Sequence, residues 1–217
     1  MLDRKLSRKG RELVALYEQM FRDGYDCVGD DRVEDAFADF ELRPFREPVL
    51  DTVRAHHVST VLDFGCGGSD WHAPGFDEQT GKSALEYFGL QAVYRYEPAR
   101  NLDERQSVDC VVCFDVLEHV FITDVPGVIR DMLSYATKLV VLNVACYPAR
   151  ALLPNGENAH ITVRHPMWWK GVVDCISLEF PSIDIFLMCS TSYRDANLFP
   201  IWNAGIWQES DTFVIDN

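Results

Sequence analysis

Acidic residues, glycines and a histidine follow three apolar runs of this chain, and these residue types could bind and transform a ligand. The first run passes Asp63 and ends in a glycine turn at 65–67, the second ends at Glu97, and the third leads into residues 115–119. Short apolar runs of this kind predict buried strands. Because the carboxyl ends of parallel strands share one edge of a sheet, we predict a ligand site along that edge.

Each polar group at these strand ends has a specific chemical use. Glycines have no Cβ and adopt positive φ, so the backbone of the turn can approach a ligand closely. A carboxylate such as Glu97 can accept hydrogen bonds from both hydroxyls of a ribose. Each feature also has a plain structural alternative: an ordinary strand-to-helix turn, or a surface glutamate beside Pro98.

In this order, the three segments resemble the diagnostic parts of class I S-adenosylmethionine-dependent methyltransferases. The resemblance implies that S-adenosylmethionine is the cofactor, and it implies a set of cofactor contacts: Asp63, Gly65, Cys66, Gly67, Glu97, Phe114 and Asp115. Two positions depart from known patterns. Ser69 replaces the last glycine of the methyltransferase turn, and Asp70 stands where a dinucleotide fingerprint needs its third glycine, which disfavours a nicotinamide oxidoreductase.

The resemblance also implies the fold class, a Rossmann-like α/β methyltransferase sheet that is mostly parallel and ends in an antiparallel hairpin. We expect one domain over 1–217, with N-terminal helices over 1–56 that cap one end of the sheet and a catalytic core over 57–217. Only eleven residues separate Glu97 from Asp109, so the third strand should be missing or vestigial.

Periodicity and capping residues place the individual elements. We predict helices over 4–23, after Asp30 or Asp31, and over 46–56, 83–87, 125–136 and 168–177. Strands are predicted over 60–64, 93–97, 108–114 and 138–145. Two closing strands, 183–189 and 212–215, should pair as the hairpin.

The acceptor side of the reaction is less defined. Residues 154–169 follow the strand 138–145 and combine amides, histidines, an arginine and two tryptophans. Aromatic faces beside hydrogen-bonding groups suit a sugar or another polar ring. The expected substrate contacts are Asn158, Arg164, His165 and Trp168, with at least one of the two tryptophans in the core. Residues 60–170 also resemble a group of bacterial and phage methyltransferases, some of them linked to surface-polysaccharide genes.

If the acceptor is a hydroxyl, a base must take its proton during methyl transfer. The candidates are His160 and His119, with Asp115 as a partner, although His119 could equally be a packing histidine. The expected function is therefore O-methylation of a small-molecule or saccharide-type acceptor. The alternatives are N- or C-methylation of a small metabolite, and a non-catalytic S-adenosylmethionine-binding scaffold. The sequence does not fix the oligomeric state.

The composition restricts the classes of binding partner and the cellular compartment that we expect. The formal charge of −14 disfavours nucleic acid, because affinity for phosphates comes from lysine and arginine. Seven cysteines, an odd number, suit free thiols in a reducing cytoplasm. Cys110 and Cys113 should point to opposite faces of a strand, so we expect no metal site. No apolar run reaches the length that crosses a bilayer.

Overall fold

A mostly parallel β-sheet with helices on both faces forms the body of the described chain. The computed structural model describes residues 6–29, 31–37, 40–193, 195–201 and 211–214. Its strands are β1 (Tyr25–Asp26), β2 (Arg32–Val33), β3 (Thr60–Phe64), β4 (Ala92–Glu97), β5 (Leu102–Asp103), β6 (Val108–Phe114), β7 (Ala136–Ala145), β8 (Asp184–Ser190), β9 (Asp195–Ile201) and β10 (Asp211–Val214). Its helices are α1 (Arg8–Asp23), α2 (Arg46–Ala55), α3 (Ala84–Phe88), α4 (Val125–Tyr135) and α5 (Pro166–Ser177).

The large sheet has eight strands in the order β10-β9-β8-β7-β6-β3-β4-β5. The five strands from β4 to β8 in this row are parallel, and β5, β9 and β10 are antiparallel to their neighbours. The chain runs from β3 outward to one edge and then returns to β6 on the other side of β3. Such a reversal creates a crevice at the carboxyl ends of the two strands, where doubly wound sheets bind ligands.

Helices cover both faces of this sheet. The α4 and α5 helices share a buried cluster with one face, and α2 and α3 share a second cluster with the other face. Cys113 belongs to the first cluster and Cys110 to the second, as predicted from their spacing. A strand buried on both faces needs apolar residues at successive positions, which explains the unbroken apolar runs of β6 and β7. None of the described helices is long and apolar enough to cross a membrane.

The N-terminal helix α1 starts later than predicted because Ser7 caps it. The Ser7 hydroxyl accepts a hydrogen bond from the Gly10 N–H and donates one to Asp124, 2.7 Å away. The helix packs Leu13 and Met20 against Leu153 and Ala159, which follow β7. It therefore lies over the carboxyl end of the sheet, as expected for a cap.

Two predictions about the elements are wrong. No helix follows Asp31 in the described residues up to 37, because Arg32–Val33 pairs with Tyr25–Asp26 as a two-stranded ribbon; Asp30 lies outside the described residues. The closing strands do not pair with each other, since β9 lies between β8 and β10. The predicted end at Ile215 lies outside the described residues.

Between Glu97 and Asp109 the structure has one strand of only two residues, β5, in keeping with the short spacing in the sequence. A buried arginine, Arg105, ties this short edge to the rest of the fold. Its guanidinium contacts Asp103 at 2.6 Å and Asp131 of α4 at 2.9 Å, and it lies 4.0 Å from the centroid of the Tyr96 ring. The Arg105 side chain is only 5% exposed. One residue thus joins the sheet edge to a helix where a full strand would otherwise do so.

We predict that Arg105→Ala lowers the free energy of unfolding by about 3 kcal/mol, because it removes a buried side chain and leaves the largely buried Asp131 carboxylate without its partner. The matched control is Arg130→Ala, which removes an exposed pair with Glu179 at 2.7 Å. That control should cost less than about 1 kcal/mol. Urea denaturation measures both, and equal losses in the two variants would contradict the structural role of Arg105.

Candidate functional site

A cavity of about 860 Å³ lies at the carboxyl ends of the parallel strands. This volume is within the range of small-molecule sites. The cavity lies at the switch point between β3 and β6 and has α1 as one wall. Its lining includes every residue that the sequence predicted for cofactor contact and catalysis: Asp63, Gly65, Cys66, Gly67, Glu97, Phe114, Asp115, His119 and His160.

The turn after β3 requires glycine at its first position. Gly65 has φ of +80°, and a Cβ on it would lie 2.4 Å from Cγ2 of Val116. The N–H groups of Gly65 and Cys66 donate to the Tyr96 carbonyl at 2.8 and 3.1 Å, which holds the turn against the end of β4. The backbone of the turn therefore forms part of the cavity wall without a side chain in between.

Glu97, the last residue of β4, is held by two backbone groups. Its Oε2 accepts from the Gly67 N–H and its Oε1 accepts from the Ala99 N–H, both at 3.1 Å. Burial raises the pKa of this carboxyl, and the two hydrogen bonds oppose the increase. A carboxylate has about four acceptor sites. Glu97 is thus fixed in orientation and retains acceptor capacity toward the cavity.

Asp63, inside β3, is buried beneath the same turn. Its Oδ2 accepts a hydrogen bond from the Trp71 indole N–H at 2.8 Å. Burial raises the pKa of Asp63 to about 7, the neighbouring Glu97 carboxylate adds to the increase, and the indole hydrogen bond opposes it. In the folded protein, Asp63 therefore loses its proton as the pH rises through about 7.

Asp115 follows β6 with a backbone conformation that is unusual for a residue with a side chain. Its φ is +52°, in the left-handed region, and such strain is often found at functional sites. The Asn143 amide donates to Asp115 Oδ1 at 2.6 Å and accepts from the Ser190 hydroxyl at 2.9 Å. This network links the ends of β6, β7 and β8. Burial raises the pKa of Asp115, and the Glu118 and Glu41 carboxylates raise it further.

His119 packs against Tyr17 of α1 and the carbonyl of Ala159. Its Nδ1 lies 2.6 Å from the Tyr17 hydroxyl and 3.0 Å from the Ala159 oxygen, and the hydroxyl lies 2.9 Å from that same oxygen. All three contacts are hydrogen bonds when His119 Nδ1 carries the ring proton and the Tyr17 hydroxyl donates to the Ala159 carbonyl. Burial lowers the pKa of His119 to about 3. The ring is therefore neutral, with its lone pair on Nε2.

His160 has the same tautomer for a simpler reason. Its Nδ1 contacts the Tyr147 carbonyl, which can only accept, so Nδ1 carries the proton and Nε2 the lone pair. Burial lowers the pKa of this histidine as well. The Asn158 side chain accepts from the His160 N–H at 3.0 Å and bonds both backbone groups of Ala149, which fixes the loop.

The cavity concentrates buried acids that have no ion-pair partner. Within the described residues, the lining acids Asp63, Glu97 and Asp115 form no ion pair with lysine or arginine, and neither does Glu118, which precedes the lining residue His119. The three arginines in the described part of the lining have other partners: Arg11 donates to the Leu6 carbonyl, Arg105 pairs with Asp103 and Asp131, and Arg150 pairs with the exposed Asp31. Unpaired buried carboxylates raise the free energy of the ionised state. A ligand with positive charge would lower it.

The structure does not bring the four predicted substrate residues into the lining of this cavity. Arg164 and His165 are exposed, and the His165 side chain caps α5. Trp168 packs edge-to-face on Trp169, which is fully buried, as expected for one of the pair. Asn158 acts on the loop backbone. Of the described stretch 154–169, His160 is the residue that lines the cavity.

Several lining residues were not predicted from the sequence. They are the aromatic side chains of Tyr17, Phe21, Phe37, Phe40 and Tyr147, together with Glu41. Helical spacing marked Tyr17 and Phe21 only as packing residues of α1. The position of α1 over the sheet, which depends on tertiary contacts, makes them part of the site.

No family model, curated protein or solved structure matches this chain. What can be inferred of the chemistry therefore depends on the geometry of the site itself.

We predict that the difference in unfolding free energy between the wild type and Asp63→Asn depends on pH. Folded Asp63 keeps its proton to about pH 7, whereas an unfolded aspartate loses it near pH 4. Its stabilising contribution is thus fully present below pH 4 and is lost as the pH rises through 7. The wild type should lose about 1.4 kcal/mol per pH unit relative to the variant across this window.

Urea denaturation of both proteins from pH 4 to 9 measures this difference. The titrating groups that do not interact with Asp63 contribute equally to both proteins and cancel, whereas Glu97 is coupled to Asp63 and adds to the difference. The amide oxygen that the substitution introduces can still accept from the Trp71 indole. A difference that is constant across the series would contradict the buried, protonated state of Asp63.

Proposed function

We propose that this chain is an S-adenosylmethionine-dependent methyltransferase that methylates a hydroxyl of a small polar or saccharide-type acceptor. The observation that carries the proposal is the position of Glu97. It ends the strand beside the glycine turn, at the switch point of the sheet, and the Gly67 and Ala99 N–H groups aim it. This is the arrangement that a ribose diol needs.

The residues present suit this cofactor in shape and in charge. The turn at Gly65 and Gly67 gives a wall of bare backbone, and Glu97 has free acceptor sites for two hydroxyls. The buried acids lack an ion-pair partner, which suits a ligand that carries a sulfonium and an ammonium group. Phe114 adds an apolar surface to this part of the lining. When bound, the cofactor supplies an activated methyl group.

The acceptor would lie at the histidine end of the cavity. Tyr17, Phe37 and Tyr147 line this part with aromatic surface beside polar groups, which suits a polar ring. His160 Nε2 carries a lone pair in the neutral tautomer, so His160 can take the proton of a hydroxyl.

We predict that Glu97→Gln weakens S-adenosylmethionine binding about 10- to 100-fold, because it removes a charged acceptor for the ribose hydroxyls. Glu179→Gln, which changes an exposed glutamate bonded to Arg130, is the control and should bind as the wild type does. Isothermal titration calorimetry with the cofactor and with its demethylated product measures both. Absence of binding to the wild type would contradict the proposed function.

We predict that His160→Ala lowers methyl transfer by about 10²–10⁴-fold, the usual contribution of a general base. Cofactor affinity should stay within about threefold, because the ring contacts the acceptor end. His72→Ala, in an exposed loop outside the lining, should keep full activity. The assay offers a panel of hydroxylated acceptors, amines and sugars and identifies products by mass. A product methylated at nitrogen or carbon would contradict the hydroxyl assignment.

A further inference from the structure

Three side chains at the acceptor end form a cluster with metal-ligand chemistry. Glu118 and His119 are neighbours on the 3₁₀ turn Leu117–His119, and His160 approaches from the loop after β7. One ligand atom from each lies within 4.8 Å of the others. Ligands about 2.1 Å from a tetrahedral ion are about 3.4 Å apart. A contraction of roughly 1 Å, within the reach of small side-chain rotations, would bring the three onto one ion.

The surroundings of Glu118 are independent evidence for a ligand at this cluster. The residue is 0% exposed, and its Oε1 accepts from the Ala145 N–H at 2.8 Å. Among the described residues, its Oε2 has no hydrogen-bond partner. An unpartnered buried carboxylate oxygen is costly, because it has lost water and gained nothing in return.

Both histidines are oriented as metal ligands usually are. Each uses Nδ1 on a backbone carbonyl, His119 on Ala159 and His160 on Tyr147, and each has its lone pair on Nε2. Such contacts fix the tautomer and orient the ring of a metal-binding histidine. The rings lie edge-to-face with centroids 4.8 Å apart. The cluster thus combines two imidazole lone pairs with one carboxyl group, all of them groups that ligate metal ions.

We propose that Glu118, His119 and His160 bind one divalent transition-metal ion. Two imidazoles and one carboxylate suit Mn²⁺, Fe²⁺, Co²⁺ or Zn²⁺ better than Ca²⁺ or Mg²⁺, which prefer oxygen ligands. Three protein ligands leave at least one further coordination position of the ion for water or another ligand. This departs from the sequence-based expectation of no metal site.

Ion binding can be measured without the cofactor, so the metal site is tested separately from methyl transfer. If the chain is also a methyltransferase, the ion takes up the lone pair of His160. His160 would then not be the base; the ion would lower the pKa of a bound hydroxyl, whose proton would pass to solvent.

The test uses the full chain, freed of metal by dialysis against a chelator. Mn²⁺ is the probe, because it prefers nitrogen and oxygen ligands to the thiols of this cysteine-rich chain. Calorimetry and electron paramagnetic resonance should show one site per chain. Glu118→Gln, which can still accept from the Ala145 N–H, and His160→Ala should each weaken binding at least about tenfold. The controls His72→Ala and Glu179→Gln should not.

Thermal melting keeps the test valid if a variant does not fold. The wild type should melt at a higher temperature with saturating Mn²⁺, because the ion binds only the folded state. No stoichiometric Mn²⁺ binding by the wild type, or folded variants that bind as the wild type does, would overturn the proposal. Metal binding without S-adenosylmethionine binding would contradict only the proposed function, and the reverse result only the metal site.

Discussion

The burial of several carboxylates at one edge of the sheet, without an ion-pair partner, is the constraint on which the rest of the site depends. Asp63, Glu97, Asp115 and Glu118 lie in or just after strands whose apolar residues are required by the core, so the fold places them in an environment of low polarity. Their pKa values rise in consequence. A site of this kind favours cations, and both proposed occupants, a sulfonium cofactor and a divalent metal, supply positive charge.

Backbone geometry keeps these acids in place at some cost to the local structure. Gly65 approaches Val116 so closely that no side chain fits, and Asp115 holds a left-handed conformation. Backbone N–H groups bind Glu97, and the Asn143 amide binds Asp115. These contacts fix the orientation of the acceptor groups before a ligand binds, at a cost in conformational entropy.

The local sequence pattern predicted the parallel strands and most helices. A strand that is buried on both faces is an unbroken apolar run, and a helix begins at a recognisable capping residue. The cavity-lining residues from Asp63 to Gly67, Glu97 and Asp115 were found for the same reason: they lie at strand ends. The strand β9 and the ribbon of β1 and β2 were missed, since their pairing depends on neighbours far along the chain. The substrate contacts were placed at Trp168 and its neighbours because the local aromatic pattern cannot show which side of α5 meets the cavity. Whether those residues contact an acceptor stays a prediction.

Trp71 gives the protein an internal optical reporter. Its indole is only 2% exposed and donates directly to Asp63, and its ring lies 5.1 Å from that of Phe40, a residue of the cavity lining. Indole emission responds to charge at the ring, so loss of the Asp63 proton alters the local field that this fluorophore experiences. A ligand that removes or restores the Asp63 proton therefore changes the emission of Trp71, one of the five tryptophans of the chain.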